Sequence, residues 1–258
     1  MCRDTAVRKL AAVPAALLVG VVAGAAVAVA GGSNALSDIP RFKIFVSSHS
    51  TAAAEVLAYH GVKKELPQVV LIGGLEGRIY RCDCGKDIHL WDIAGGTRLW
   101  AAAQGLTVNT QSRVLRGAKE GEALDLAQYR AAIDAGQPVI LTYSLDEASG
   151  KGMEASFRSQ DRVSVVGIGY DEANPDRSQG TAGGPSTLLR TNGCATHGES
   201  DPDGYVIVSL PEDADKDKRF AQLAALPGVK PGEREGLLLI PWDVQTGNRI
   251  ATFVEAPE

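Results

Sequence analysis

Aromatic residues are scarce in this chain: Phe, Tyr and Trp together make up 5% of its 258 residues. An interior must therefore be built from Ala, Val, Leu and Ile. A basic excess is missing too. With 26 Lys+Arg against 31 Asp+Glu the formal charge is −5, and there is no basic patch or basic tail. That argues against nucleic acid as a partner. Internal repeats are absent, and only one long apolar run exists, near the N-terminus, which excludes a polytopic membrane protein. What is present is 45% apolar and 22% charged residues, with 29 Gly and 12 Pro, so neither a mostly disordered chain nor a collagen-like fibre fits. The length suits one domain of ordinary size with a buried core.

Residues 1–30 read separately from the rest. Arg3, Arg8 and Lys9 precede an uncharged stretch from Leu10 to Ala30, and Ala28-Val29-Ala30 stands before Gly31. A positive start, an apolar run and small residues at its end fit a signal peptide. At about 1.5 Å per residue the run also has the length of a single membrane-spanning helix. Either reading leaves residues 31–258 outside the cytoplasm, periplasmic or at the cell surface, with the positive end inside. Without residues 1–30 the balance is 23 cations against 30 anions, or −7. Cys82, Cys84 and Cys194 lie in the exported part. Three is odd, so at most one internal disulfide forms, and an oxidising compartment favours Cys194 with Cys82 or Cys84.

Residues 31–40 read as a linker and 41–258 as the domain. Ser50–His60 reads as a helix stopped by Gly61, Thr97–Gln104 as a second before Gly105, and Leu124–Ala135 as a third stopped by Gly136. Beyond these the pattern turns to β-branched or apolar runs: Val139–Ser144, Val163–Tyr170, Thr187–Arg190, Tyr205–Ser209 and Leu237–Ile240. Ala148–Asp161, Glu172–Pro185 and Asp213–Glu235 read as polar loops. Helices first and strands later, without βαβ alternation, predict an α+β fold.

Four stretches, in order, resemble the papain-like cysteine peptidase superfamily. Ser48-His49-Ser50-Thr51-Ala52-Ala53-Ala54 through Gly61 is similar to the nucleophile helix of its double-glycine (bacteriocin-processing) members. Tyr129–Ile140, with Gly136-Gln137-Pro138-Val139, resembles the helix and strand that precede the histidine strand. Arg162–Asp171 resembles that strand itself, His-x-Val-Val-x-x-Gly-Tyr-Asp. Leu188–Cys194 through Gly204-Tyr205 resembles the Arg-Asn-Ser-Trp-Gly … Gly-Tyr segment of papain-type enzymes. The resemblance spans roughly residues 45–210. It implies a helical half packed on a mostly antiparallel sheet, preceded here by one N-terminal apolar helix.

The same resemblance implies a thiolate at a helix N-terminus, a facing His, an Asn that orients it and a Gln for the oxyanion hole. Those positions hold Ser48 (or His49, one residue on), Val163 beside Arg162, Thr191 (or Asn192) and Phe42. A hydroxyl beside Val163 has no base, so a domain that has lost its catalysis is expected. Its cleft would be lined by Ser48, His49, Val163 and Asn192. It would bind a peptide or a protein or serve a structural role, without a cofactor.

Other constellations compete with this reading. Ser48 with His49, His60, His89 or His197 would make an unconventional hydrolase, against the plainer reading of Ser48 as a helix-capping residue. Cys82, Cys84 and Cys194 with His89 and His197 are enough for a zinc site, against the favoured disulfide. Asp171-Glu172 with Asp176, and Glu199–Asp203, read as solvated loops rather than calcium sites. Trp91, Trp100 and Trp242 read as packing residues, and the Gly73-Gly74, Gly95-Gly96 and Gly183-Gly184 pairs as turns. A last alternative is an accessory subunit of a membrane complex held through residues 10–30.

Overall fold

The computed structural model describes residues 27–29, 33–62, 65–79, 92–115, 124–145, 162–171, 204–244 and 249–256. Its helices are α1 (Ser48–Tyr59), α2 (Gln68–Ile79), α3 (Ile93–Ala103), α4 (Leu126–Asp134) and α5 (Lys218–Ala224). The strands are β1 (Val27–Val29), β2 (Ser33–Ala35), β3 (Thr110–Val114), β4 (Val139–Ser144) and β5 (Arg162–Asp171). They continue with β6 (Tyr205–Ser209), β7 (Lys230–Pro231), β8 (Leu237–Pro241) and β9 (Arg249–Val254). The fold is α+β, as the order of patterns predicts. Every strand pairing is antiparallel, and the sheet runs β3-β9-β4-β5-β6-β8-β7.

Helix ends follow local chemistry. Ser47, Asp92 and Asp125 cap α1, α3 and α4, each accepting a backbone N–H three residues on, from Ser50, Gly95 and Gln128. Gly61 and Gly136, at φ 81° and 77°, end α1 and α4. Each lets the following residue donate back into the last turn, Val62 to Leu57 and Gln137 to Ala132.

Alternation along β5 sorts the two faces of the sheet. Ser164 and Thr142, opposed in the β4–β5 ladder, share a hydrogen bond on the face that receives α1. Thr110 on the same face donates to Ala94 O of α3. Gly167 belongs to the opposite face, where α4 lays Tyr129 across it. A Cβ at Gly167 would stand 2.6 Å from the Tyr129 hydroxyl, which donates to Gly169 O at 3.0 Å. The core thus lies on both faces of the central strands. That is why β4 is buried along its full length rather than alternately. Helix α1 is buried at eleven of its twelve residues, because α2 and α3 cover the side that the sheet does not.

Several expectations need correction. Gly73-Gly74 and Gly95-Gly96 lie in helices α2 and α3 rather than in turns. A Cβ on Gly74 would meet Trp100 Nε1 at 2.7 Å, and one on Gly96 would meet Ile79 Cα at 2.5 Å. These glycines bring α2 and α3 together; they do not break the helices. Within the expected linker, Ser33–Ala35 forms β2, which pairs with Gly169 and Tyr170 beyond the point where β4 begins, and Leu36 is buried. The expected polar loop 213–235 contains a 3-10 turn at Ala214–Lys216, then α5 and β7. Its apolar residues Phe220 and Leu223 join the core. Val27–Val29, the end of the expected apolar helix, is strand; residues 1–26 lie outside the described residues. Among the described residues no helix is long and apolar enough to cross a membrane.

Candidate functional site

The first turn of α1 meets β5 where the ladder with β6 has ended. Val166 pairs with Ser209, the last residue of β6, so the backbone groups of Ser164 and Arg162 on that side have no strand to bond. Side chains take them instead. Ser48 Oγ accepts from Ser164 N at 3.1 Å, and the Arg219 guanidinium donates to Arg162 O at 3.2 Å. A buried strand edge without partners would cost as much as the lost hydrogen bonds. Ser48 is therefore the acceptor that closes the sheet against the helix. The capping role expected of it belongs to Ser47, whose hydroxyl also donates to Glu76 of α2 at 2.6 Å.

Beside Ser48 lies a chain of polar side chains. His49 Nδ1 is 2.6 Å from Ser164 Oγ, which is 2.7 Å from Thr142 Oγ1. All are inside the protein: Ser48 and His49 have no exposed surface, and Ser164 is 1% exposed. Burial pushes the His49 imidazole down to about 3, and the positive charges of Arg219 and Arg162 push the same way. The ring is thus neutral at physiological pH. Arg219 is held by Asp217, whose carboxyl stays below the usual carboxylate range chiefly because Arg219 hydrogen-bonds it.

A buried acid sits further along α1. Glu55, 1% exposed, accepts from Phe42 N at 2.8 Å. Burial raises its pKa to about 8, against the opposing pull of that N–H and of Arg41, with Glu212 pushing upward as well. Arg41 in turn donates to Leu210 O, Pro211 O and Glu235 O, and Ile44 N donates to Asp213. Residues 41–44 are so strapped between α1 and the segment after β6.

The nominated positions fare differently. Ser48 and His49 come together with β5, but through Ser164: alternation turns the Val163 side chain to the opposite face, where it is fully buried. The expectation that Val163 faces Ser48 across a cleft is wrong by one residue, and one residue in a strand is one face. Phe42 offers its backbone N–H to Glu55 while its half-buried ring packs on the core. His60 caps the end of α1 and its Nε2 lies 2.9 Å from Val254 O of β9, far from Ser48. Trp100 and Trp242 are buried in the core, as expected of packing residues. Thr191, Asn192, Cys82, Cys84, Cys194, His89, His197, Trp91, Glu172, Asp176, Gly183-Gly184, residues 199–203 and strand Thr187–Arg190 lie outside the described residues. Among the described residues no three His, Cys, Asp or Glu side chains converge as a metal site.

Sequence reasoning missed Ser164, Thr142 and Glu55. Each carries a signal visible in retrospect. Ser164 and Thr142 are hydroxyls inside largely apolar runs, and Glu55 is the one acid in a helix of mostly small and apolar residues. A polar residue in such a run is a buried group that must find a partner.

No protein-family model, curated protein or solved structure matches this chain.

Proposed function

We propose that this chain is an exported or membrane-anchored domain of papain-like type that has lost its chemistry and acts by binding a peptide or protein. The observation that carries the non-catalytic half is the closed junction between α1 and β5. The helix start that the resemblance nominates for a nucleophile is buried to its last atom, and its hydroxyl is used as a backbone acceptor. A serine so engaged gains nothing from a neighbouring base, and a substrate carbonyl has no route to it. The packing of a helical layer, α1 with α2 and α3, on an antiparallel sheet with α1 against β5 supports the fold side of the reading. Export rests on residues 1–30, and with it a disulfide between Cys194 and Cys82 or Cys84.

One observation favours a second reading, a hydrolase with a rearranged site. His49 and Ser164 stand at the distance of a base and a nucleophile. Full burial and an imidazole already engaged in a hydroxyl chain weigh against it.

The full chain incubated with random mixtures of peptides four to eight residues long distinguishes these readings by mass spectrometry. Binding without chemistry predicts that a subset of peptides is retained and recovered intact. Cleaved products would overturn the non-catalytic reading, and the absence of retention would overturn the binding reading.

A further inference from the structure

A groove of about 590 Å³ lies away from α1, on the opposite face of the sheet at its β3 margin. Its volume is that of a site for a small ligand rather than a crevice between side chains. Gln111 and Arg113 of β3 and Phe253 of β9 form the floor, since alternation puts them on the face that carries α4. Gln128 and Ala131, three residues apart on one side of α4, form the wall.

Three features define what such a groove recognises. The first is amides: Asn109, Gln111, Gln128 and Gln137 all line it. Each side-chain amide both donates and accepts, which matches the alternating N–H and C=O of a peptide backbone. The second is apolar surface between them, from Leu124, Ala131 and Phe253. The third is charge of opposite sign at its two ends. Arg113 lies near the end of β3, while Glu255 follows β9 and donates its backbone N–H to Asn109 O. Asn109 and Arg113 are four residues apart on an extended chain, about 13 Å at ~3.3 Å per residue. An extended peptide of three to four residues carries its terminal ammonium and carboxylate at that separation.

The geometry points to this groove as the binding site for a short zwitterionic peptide, its carboxylate at Arg113 and its ammonium at Glu255. The guanidinium fork suits a terminal carboxylate, and the amides hold the backbone between. The inference rests on the peptide-binding reading and gives it a place and a ligand length. A neutral chain of the same size lacks partners for both ends, and a long chain threaded through the groove would leave both charges unused.

Titration calorimetry of the full chain with tetraalanine tests it, alongside tetraalanine acetylated at its N-terminus and amidated at its C-terminus. Binding of the free peptide is expected. Each cap should weaken it on the order of tenfold, and Arg113→Gln and Glu255→Gln should do the same. Arg113→Gln should make the wild-type preference for a free carboxylate vanish, and Glu255→Gln that for a free ammonium. Tetraalanine binding that ignores both substitutions would overturn the groove while leaving peptide binding intact. Retention of peptides from the random mixtures without binding of tetraalanine would do likewise. No binding of either would remove both readings.

Discussion

Two ionisable groups on one buried helix give this fold an unusual dependence on pH. Glu55 has a folded pKa of about 8 against 4.5 when exposed. The folded state therefore holds a proton that the unfolded state releases. Its stabilising contribution is complete below pH 4.5 and is lost as pH rises through 8. His49 does the reverse, with about 3 in the fold against 6.5 when exposed. Its contribution is complete above pH 6.5 and is lost as pH falls through 3. At about 1.4 kcal/mol per pH unit, each gap corresponds to roughly 5 kcal/mol across its whole range. Between pH 4.5 and 6.5 the two slopes oppose and cancel. The profile should be a plateau there, with stability falling by roughly 2 kcal/mol between pH 6.5 and 8 through Glu55 alone. Glu55→Gln keeps an acceptor for Phe42 N and removes the proton equilibrium. Urea denaturation of both proteins at half-unit steps from pH 5 to 9 should show the alkaline limb in the wild type only; the variant, with His49 unopposed, should gain roughly 2 kcal/mol from pH 5 to 6.5 and stay level above it. Parallel profiles above pH 6.5 would refute the assignment of Glu55 as a buried, protonated acid.

Four further outcomes follow from the packing and the cysteines. Ser48→Ala should cost about 1–3 kcal/mol in denaturant melts, since it strands the buried Ser164 N–H while the Ser47 cap stays in place. Gly96→Ala, whose Cβ would press on the Ile79 backbone, should destabilise by about 1–3 kcal/mol. Gly73→Ala in the same helix pair meets nothing within 4 Å and should stabilise by roughly 0.5–1 kcal/mol in thermal melts. Digestion of the exported chain without reductant should release a peptide containing Cys194 bonded to one containing Cys82 or Cys84; three free thiols would contradict the pairing.

Legibility in the sequence followed the range of the interactions. Strands β4 and β6 were readable to the residue, because each is a β-branched or apolar run that opens after Pro138 or Gly204 and closes on a serine. Helix α1 and its stop at Gly61 were readable for the same local reasons. Strand β3, Thr-Gln-Ser-Arg-Val, carries almost no apolar pattern; it is a strand because β9, some 140 residues later, pairs with it. Helix α2 was hidden by three glycines, of which Gly74 has a tertiary use, the close approach of Trp100, while a Cβ on Gly73 or Gly77 would meet nothing within 4 Å. In the site, the α1–β5 meeting was foreseen and its register was not. Nothing local tells whether Val163 or Ser164 turns toward the helix; that is decided by the ladder with β4 and by Tyr129 filling the space over Gly167.

The closed α1–β5 junction is tested most directly by a fluorophosphonate probe on the native full chain, with the modified residues mapped by mass spectrometry. Burial of Ser48 and Ser164, with both hydroxyls engaged, predicts that neither is labelled. Stoichiometric labelling of either serine, abolished by its own substitution to alanine, would contradict the account and point to an active nucleophile.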